Sequence, residues 1–225
     1  MLYITATPIG NMGDITFRAK EALEKSDFVL AEDTRKAGSF LKRLGISSKQ
    51  IVSFYEHNEE RKIPHIISRL KKGEAAALIS SAGTPLVSDP GFKLVRECLN
   101  QGLEIASLPG ASAVINALVL SGLPTDSFVF LGFLPRKKAK RIKKIQQVKS
   151  LNSTLIIFES PYRLKKTLSE LSGYLGNRRA SIHREMTKLY EESLRGAFSS
   201  LIKKISQREI KGECVLVIEG SGLKN

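Results

Sequence analysis

The sequence has few of the residues on which disulfide frameworks and metal centres depend. Its 225 residues include two cysteines, Cys98 and Cys214, and three scattered histidines, with no paired cysteines and no metal-ligand spacing. Two cysteines far apart in the chain predict no disulfide framework, and reduced thiols are typical of a cytoplasmic protein. We therefore expect no metal site and a cytoplasmic location.

Long apolar runs are also absent. The longest runs are far shorter than the roughly 20 residues that a membrane-spanning helix needs, so we expect no contact with a membrane. The first ten residues, MLYITATPIG, have the pattern of a strand, with neither a basic region nor a cleavage site, which predicts no export signal. The nucleotide-binding patterns GxGxxG and GxxxxGK(S/T) are absent too, which argues against NAD and ATP bound by the usual routes.

The positive charge is concentrated in the second half of the chain. Residues 1–121 carry 15 basic and 13 acidic side chains, whereas residues 122–225 carry 21 and 9, out of a net charge of +14. A basic domain attracts polyanions, because each neutralised phosphate releases counterions. The charge pattern thus favours a nucleic-acid partner over a merely solvated basic surface.

Short apolar runs alternate with amphipathic segments through most of the chain. Runs such as Phe28–Ala31 and Ala76–Ile79 are continuously apolar, which is typical of a mostly parallel sheet covered on both faces. In the first half we predict strands near 2–6, 28–32, 51–54, 75–80 and 104–107, and helices near 14–26, 35–44, 58–72, 90–101 and 111–121. In the second half we predict strands over 128–131, 154–158, 179–184 and 214–218, and helices over 136–149, 162–175 and 197–206.

The segment SGLPTDS, residues 121–127, is rich in glycine, proline and polar residues and coincides with the change in charge. It predicts two domains, 1–121 and 122–225. Two helices are predicted to begin at a proline that follows a residue able to cap the helix N-terminus. These are Pro90, after Asp89, and Pro161, after Ser160.

Three turns of small and polar residues each follow a predicted strand. They are TPIGNMGD (7–14), SSAGTPLVSDPG (80–91) and LPGASA (108–113). Carboxyl ends of strands form the ligand crevice of an open α/β sheet, and glycine lets the backbone approach a ligand closely. One such turn would be an ordinary connection, but three together predict a ligand cleft.

Two charged stretches have competing interpretations. EDTR, residues 32–35, places two carboxylates and a cation at a strand end, but acidic residues are also favoured at any helix N-terminus. RKKAKRIKK, residues 136–144, has seven cations, and Ile142, Ile145 and Val148 could form its buried stripe. Phosphate contact and a solvated helix face are both compatible with that run.

Together these motifs resemble a known family. TPIGNMGDIT, EDTR, SAGTPLVSDPG, LPGASA, SGLPTDSFVFLGFLPRK, FESPYRL, REMTK and KGECVLVIEG occur in this order over residues 1–220. They are similar to the ribosomal small subunit RNA (cytidine-2'-O-)-methyltransferase branch of the tetrapyrrole methylase superfamily. The resemblance implies an α/β protein of two domains, with a mostly parallel sheet in the first and a mixed sheet in the second. It also implies S-adenosylmethionine bound between the domains, a homodimer, and a cytidine in the decoding region of 16S rRNA in the small ribosomal subunit as target.

The resemblance also implies where the cofactor binds. The cofactor-binding residues that it implies are Pro8, Ser81, Gly83, Thr84, Pro85, Val87, Ser112 and Ala113, with Phe158 and Glu213 from the second domain. Ser81 departs from the family pattern SDAGTP, which has an aspartate at this position, so cofactor or substrate affinity is expected to differ. Typical members also continue into a further helical segment, whereas this sequence ends at GLKN; RNA affinity or substrate range is expected to differ accordingly.

Methyl transfer to a ribose 2'-hydroxyl requires alignment and is helped by a general base. The candidates are Glu32 and Asp33, with Arg35 placed to hold a phosphate. The expected RNA-binding cations are Arg136, Lys137, Lys140, Arg141, Arg163, Arg184 and Lys188, and Tyr162 is a candidate for stacking on a base. Two alternatives remain: a corrin or porphyrin methyltransferase with the same fold, and a catalytically silent RNA-binding relative.

Overall fold

The computed structural model describes residues 1–222. Contacts between residues divide the chain into two compact units, Met1–Ser112 and Ala113–Asn225. This division groups the helix Ala113–Ser121 with the second unit, whereas the sequence suggested a boundary after residue 121. The helix carries no charged residue, so the charge asymmetry between the two parts is the same with either boundary.

The first unit is a five-stranded parallel sheet with its connecting helices. Its elements are β1 (Leu2–Thr5), a 3-10 turn (Met12–Asp14), α1 (Phe17–Lys25), β2 (Phe28–Ala31), α2 (Thr34–Arg43), β3 (Gln50–Ser53), α3 (Glu59–Lys71), β4 (Ala76–Ile79), α4 (Phe92–Asn100) and β5 (Ile105–Leu108). The strand order is β3-β2-β4-β1-β5, and every neighbouring pair is parallel. The predicted parallel sheet is confirmed.

Both faces of this sheet are covered. Successive side chains of a strand point to opposite faces, and the two hydrophobic clusters follow that rule. Phe28, Leu30 and Leu78 belong to one cluster, while Val29 and Ala77 belong to the other. All four residues of β2 and of β4 are buried, which is why these strands are continuously apolar in sequence.

The second unit contains a mixed sheet. Its elements are α5 (Ala113–Ser121), β6 (Phe128–Phe133), α6 (Lys138–Val148), β7 (Thr154–Glu159), α7 (Pro161–Leu175), β8 (Arg179–Arg184), β9 (Glu192–Ala197), α8 (Phe198–Ile205) and β10 (Cys214–Ile218). The order is β6-β7-β10-β8-β9; only β6 and β7 pair in parallel, and the other neighbours are antiparallel. The implied mixed sheet is confirmed.

Sequence periodicity missed one strand and misplaced one helix start. β9, with the sequence ESLRGA, lies at the sheet edge and has no apolar run. Asp89 does not cap a helix, so that expectation was wrong: α4 begins at Phe92, after Gly91 with φ +127. Ser160 does stand at the N-cap of α7 with Pro161 next, although its side chain makes no capping hydrogen bond.

Neither cysteine forms a disulfide. Cys98 and Cys214 are buried and free, and burial raises the pKa of Cys98 to about 11 and that of Cys214 to about 12. Both thiols therefore stay protonated at neutral pH and pack as small apolar side chains. Of the helices formed by residues 1–222, none has both the length and the apolar character that crossing a membrane would require.

His183 is a fully buried titratable group in β8. Its Nε2 lies 2.8 Å from Ser181 Oγ, and its Nδ1 lies 2.8 Å from Ser193 Oγ. A neutral imidazole satisfies both hydroxyls, donating from one nitrogen and accepting at the other. Burial, with a smaller effect of Arg195, lowers the pKa of His183 from 6.5 to about 4.

Acid is therefore expected to destabilise the second unit through His183. The contribution of the neutral ring is fully present above the unfolded pKa of 6.5 and is lost as the pH falls towards 4, by at most about 1.4 kcal/mol per pH unit. His183→Gln removes this titration, so its free energy of unfolding should depend less on pH. Urea denaturation between pH 7 and pH 5 measures the difference, and an equal slope in both proteins would contradict the prediction.

Candidate active site

The three predicted turns meet at one edge of the parallel sheet. We call them the first loop (residues 6–11, after β1), the second loop (residues 80–91, after β4) and the third loop (residues 109–112, after β5). β4, β1 and β5 are adjacent in the sheet and parallel. Their carboxyl ends therefore lie side by side, where open α/β sheets bind ligands.

Direct hydrogen bonds join the three loops. Thr7 N donates to Gly83 O at 2.9 Å, and Gly83 N donates to Thr7 O at 3.0 Å, which makes an isolated antiparallel bridge between the first two loops. Ser80 Oγ donates to Gly83 O at 2.9 Å. Thr84 Oγ1 donates to Ala111 O at 3.1 Å and ties the second loop to the third. The loops thus form a single junction.

Glycine is needed at this junction for two reasons. Gly83 has φ +86, and a Cβ there would lie 3.2 Å from Ile9 Cγ2 and 3.5 Å from Ala111 O. At Gly110 a Cβ would lie 2.9 Å from the Cβ of Ala6, so the backbone of the third loop packs against the end of β1. Larger side chains would separate the loops.

The cofactor-binding residues expected between residues 8 and 113 all belong to this junction or border it. Gly83 and Pro85 are buried, Pro8, Thr84 and Ser112 are half-buried, and Ser81 and Val87 are exposed. Ala113 begins α5. The sequence therefore predicted correctly which segments come together at this edge, while the binding role of each residue remains a prediction.

The remainder of the second loop has an unusual backbone. Leu86 has φ +70 and Ser88 has φ +68, in the left-handed region that side chains with a Cβ rarely adopt. The next glycine, Gly91, has φ +127, and a Cβ there would lie 2.7 Å from Leu78 Cδ2. Strained residues of this kind persist only where the surrounding structure fixes them, and they cluster at active sites and ligand clamps.

Asp89 lies within this strained segment and shares a pocket with Glu32. The pocket has a volume of about 340 Å³ and is also lined by Glu56, Glu59 and Lys93. Burial, and then the charge of Glu32, raises the pKa of Asp89 from 3.8 to about 6. Asp89 is thus a carboxylate that binds a proton near neutral pH, which is the property that a general base needs. Sequence reasoning had assigned it to a helix cap.

A second carboxylate, Glu59, holds the end of the second loop in place. It is 5% exposed, accepts a hydrogen bond from Gly91 N at 3.2 Å, and lies 3.3 Å from Lys93 Nζ. A buried carboxylate needs such partners to offset its desolvation. Glu59 therefore connects the start of α3 to the start of α4 and limits the conformations available to the segment around Asp89.

Glu32 and Asp33 of the EDTR segment were both candidates for the general base, but Asp33 has a structural role at the start of α2. Asp33 is the N-cap of α2, and its carboxylate accepts from Arg35 N at 3.0 Å and from Lys36 N at 3.1 Å. Hydrogen bonds from the backbone, chiefly that of Lys36, lower the pKa of Asp33, which makes it a poorer base. Glu32 and Arg35 remain exposed and, with Ser81 and Asp33, line a shallow pocket of about 560 Å³.

We predict that Asp89→Asn stabilises the protein at pH 8. The pKa of Asp89 is raised on folding, so folding disfavours the ionised form and stability falls as the pH rises through about 6. Asparagine removes this penalty, so the variant should melt a few degrees higher than the wild type at pH 8 but equally at pH 3, below the ordinary pKa of 3.8. Thermal unfolding followed by circular dichroism at the two pH values tests this. A variant that melts lower at pH 8 would show that the carboxylate is stabilising.

The second unit contributes two of the expected cofactor residues from neighbouring strands. Phe158 lies in β7, pairs in register with Val215 of β10, and contacts the rings of Phe130 and Phe133 edge-on, with centroids 4.8 and 5.6 Å away. Glu213 immediately precedes β10, and its carboxylate lies 2.9 Å from Lys188 Nζ. The two residues thus lie at the same edge of the mixed sheet.

The expected RNA-binding cations fall into three groups. Arg141 is buried: it makes a bidentate pair with Glu170, and its Nη1 donates to the carbonyls of residues 135 and 136. Its role in this structure is to hold the start of α6, so it is not available for contact with RNA. Three others form ion pairs: Arg163 with Glu159, Arg184 with Glu192, and Lys188 with Glu185 and Glu213.

Arg136, Lys137 and Lys140 form the third group and are exposed. They lie at the start of α6, whose first turn has no acidic residue and whose N-cap position is Lys137, without a capping side chain. Cations at a helix N-terminus oppose the helix dipole. Ile145 and Val148 are buried as expected, but Ile142 is only half-buried, and the third buried position of α6 is Arg141.

The fold of this chain, with a parallel sheet in the first unit and a mixed sheet in the second, is similar to that of several solved proteins. The chain is similar to diphthine synthase (TM-score 0.78, 17% identity, 99% of this chain and 91% of that one) and to cobalt precorrin-4 methyltransferase (TM-score 0.69, 16% identity, 97% and 94%). It is also similar to uroporphyrin-III C-methyl transferase from Thermus thermophilus complexed with S-adenyl homocysteine (TM-score 0.65, 13% identity, 97% and 96%).

The chain belongs to the tetrapyrrole (corrin/porphyrin) methylase family, whose model matches residues 1–202. It is 46% identical over 223 residues to ribosomal RNA small subunit methyltransferase I of Halalkalibacterium halodurans, covering 99% of this chain and 77% of that protein. It is 42% identical over 222 residues to the protein of the same name from Synechocystis, covering 98% and 79%. The resemblance found in the sequence motifs is thereby confirmed.

Proposed function

We propose that this protein uses S-adenosylmethionine to methylate the ribose 2'-oxygen of a cytidine in the decoding region of 16S rRNA. The observation that supports this most is the 42–46% identity, over nearly the whole chain, to proteins named ribosomal RNA small subunit methyltransferase I. Corrin and porphyrin methyltransferases share the fold at far lower identity, so we favour the rRNA substrate. Methylation of rRNA would take place in the cytoplasm, and a homodimer is expected from the family resemblance.

The junction of the three loops fits the proposed cofactor. Its backbones are in close contact at Gly83 and Gly110, and hydroxyl groups of Ser81 and Thr84 are present for polar contacts. When bound, S-adenosylmethionine supplies an electrophilic methyl carbon. The sulfonium next to that carbon is positively charged, which suits a rim with carboxylates such as Glu32 and Asp89. Phe158 and Glu213 remain predicted contacts of the adenosine side.

The chain's own residues have two tasks in this reaction. The first is to align the ribose 2'-oxygen with the methyl group, which the rigid junction of loops supports. The second is to accept the proton of the 2'-hydroxyl, which is a weak nucleophile. Among the acids considered, we favour Asp89 over Asp33, because the pKa of Asp89 is raised to about 6 whereas that of Asp33 is lowered. Burial, and to a smaller extent the charge of Glu32, would then keep the pKa of Asp89 high.

The junction should be more important for cofactor affinity than for stability. Gly83→Ala places a Cβ at φ +86 and beside Ile9 and Ala111, so S-adenosylmethionine should bind at least tenfold more weakly in calorimetry. Gly102→Ala is the matched control: Gly102 also has a positive φ, +64, but nothing lies within 4 Å of an added Cβ. Both changes should cost about 1 kcal/mol of stability through backbone strain, and only Gly83→Ala should lose affinity. Equal affinities would place the cofactor elsewhere.

The decisive test of function is a map of ribose methylation on small-subunit rRNA. Cells lacking the gene should lose the mark at one cytidine of the decoding region and regain it with the wild-type protein. Asp89→Asn should restore it poorly, with a rate about 10²- to 10⁴-fold lower in vitro. Asp33→Asn is the control, because asparagine is as good an N-cap as aspartate. An unchanged map in cells without the gene would refute the rRNA assignment, and full activity of Asp89→Asn would refute the assignment of the base.

A further inference from the structure

Large side chains are exposed at one end of the mixed sheet in the second unit, where β7 and β8 finish and β10 begins. Glu159 at the end of β7, Cys214 at the start of β10 and Arg184 at the end of β8 are in register across the sheet. The segments beyond them therefore emerge at the same edge. Tyr162 is 94% exposed, Leu189 is 89% exposed and Tyr190 is 70% exposed. Large exposed side chains that are grouped on one surface mark an interaction site.

Tyr162 is held in a defined position by a buried carboxylate. Glu159 is 1% exposed; its Oε1 accepts from Ser160 N at 2.8 Å and its Oε2 accepts from Thr167 Oγ1 at 2.6 Å. Arg163 Nε lies 3.4 Å from the same carboxylate. These contacts fix the first turn of α7, so that the ring of Tyr162 projects into solvent from a rigid base.

Tyr190 projects from a loop that is fixed in a different way. Glu185 N donates to Glu213 O at 3.0 Å, and Glu213 N donates back to Glu185 Oε1 at 2.9 Å. Lys188 Nζ joins the carboxylates of Glu185 and Glu213 at 3.0 and 2.9 Å. A Cβ on Gly212 would clash with the side chain of Glu185. This closely packed arrangement of Glu185, Lys188, Gly212 and Glu213 orders the loop that carries Leu189 and Tyr190.

The charge at this edge favours a polyanion. Residues 134–140 carry four cations and no acid, and the side chains of Arg136, Lys137 and Lys140 are exposed. The acids Glu185, Glu192 and Glu213 are engaged in ion pairs, whereas Glu191, next to Tyr190, is exposed and accepts a hydrogen bond from Thr187 N at 2.8 Å. Exposed aromatic rings and exposed cations on one unit are the combination that binds single-stranded nucleic acid, by stacking and by phosphate contact.

We propose that Tyr162 and Tyr190 are stacking platforms for two unpaired bases of the RNA, with the cations of residues 136–140 contacting its phosphates. β7 and β9 are three strand positions apart, which is about 14 Å at the usual strand spacing. Tyr162 lies in the helix that follows β7, and Tyr190 lies in the loop that precedes β9. Because this spacing of the two strands exceeds the 3.4 Å rise between stacked bases, we expect each ring to stack on its own base. The proposal rests on the proposed function and specifies how its RNA substrate is bound.

The test is the binding of a fluorescein-labelled, single-stranded 15-nucleotide RNA of mixed sequence, followed by anisotropy. Tyr162→Leu and Tyr190→Leu should each weaken binding about 5- to 100-fold, because each removes one stacked base. Tyr162→Phe and Tyr190→Phe keep the ring and should bind within about threefold of the wild type. Phe17→Leu is the matched control, since Phe17 is 96% exposed in α1 of the first unit. It should bind RNA as the wild type does.

Several results would overturn this inference. Wild-type affinity in both leucine variants would exclude stacking, and equal losses in the phenylalanine and leucine variants would point to the hydroxyl groups instead. A change in oligomeric state on sedimentation of a leucine variant would show that the surface joins two copies of the chain. All these side chains are exposed, so the variants should melt as the wild type does.

The wild-type protein separates this inference from the proposed function. If it binds S-adenosylmethionine and methylates rRNA while the leucine variants bind RNA normally, only the stacking inference fails. The opposite result is also distinguishable. If the leucine variants lose RNA affinity but cells with and without the gene have the same methylation map, the stacking inference is supported and the proposed function is refuted.

Discussion

The two hydrogen bonds between Thr7 and Gly83 are the interaction on which the candidate active site depends. β1 and β4 run parallel, but beyond their ends the chain turns and forms an antiparallel bridge. Backbone groups at the end of a sheet need partners that the sheet no longer supplies. Here each loop supplies them for the other, and the third loop joins through Thr84 and Ala111. A main-chain junction of this kind brings the loops together without bulky side chains and leaves their surface to a ligand.

The second half of the second loop, in contrast, contains features that destabilise the folded state. Leu86 and Ser88 adopt left-handed backbone angles, and Asp89 is partly buried beside another acid. Each feature opposes folding, so other contacts must offset it. Glu59 does so by binding Gly91 N and Lys93. A proton acceptor with a raised pKa is by nature a destabilised carboxylate, and a stable fold is needed to keep it in that environment.

Local patterns predicted most of the fold but not the residues whose roles depend on tertiary contacts. Continuous apolar runs located the parallel strands, because those runs report burial on both faces. β9 was missed since an edge strand needs no such run. Asp89 before Pro90 has the pattern of a helix start, yet Gly91 must adopt φ +127 beside Leu78, and α4 can begin only afterwards. No local pattern carries that information.

Arg141 shows a case in which the sequence did carry the signal. A spacing of three residues indicated Ile142, Ile145 and Val148 as the buried stripe, but a helical face repeats every 3.6 residues. Positions 141, 145 and 148 fit that period better, and these are the buried positions of α6. An arginine in such a stripe requires a carboxylate partner, which Glu170 provides. One member of the basic run is therefore structural, and only neighbouring positions remain for contact with phosphate.

The unequal charges of the two parts follow from the chemistry proposed for them. A pocket that contains Glu32, Glu56, Glu59 and Asp89 suits a cationic methyl donor and a proton acceptor, but it repels the phosphates of an RNA strand. The affinity for RNA must then come from another surface, with enough cations to outweigh that repulsion. The basic surplus of the second unit meets this need. Most of its acids pair with other cations, and the cations of residues 136–140 are exposed. Placing proton acceptance and polyanion binding in separate units lets each have the charge that it requires.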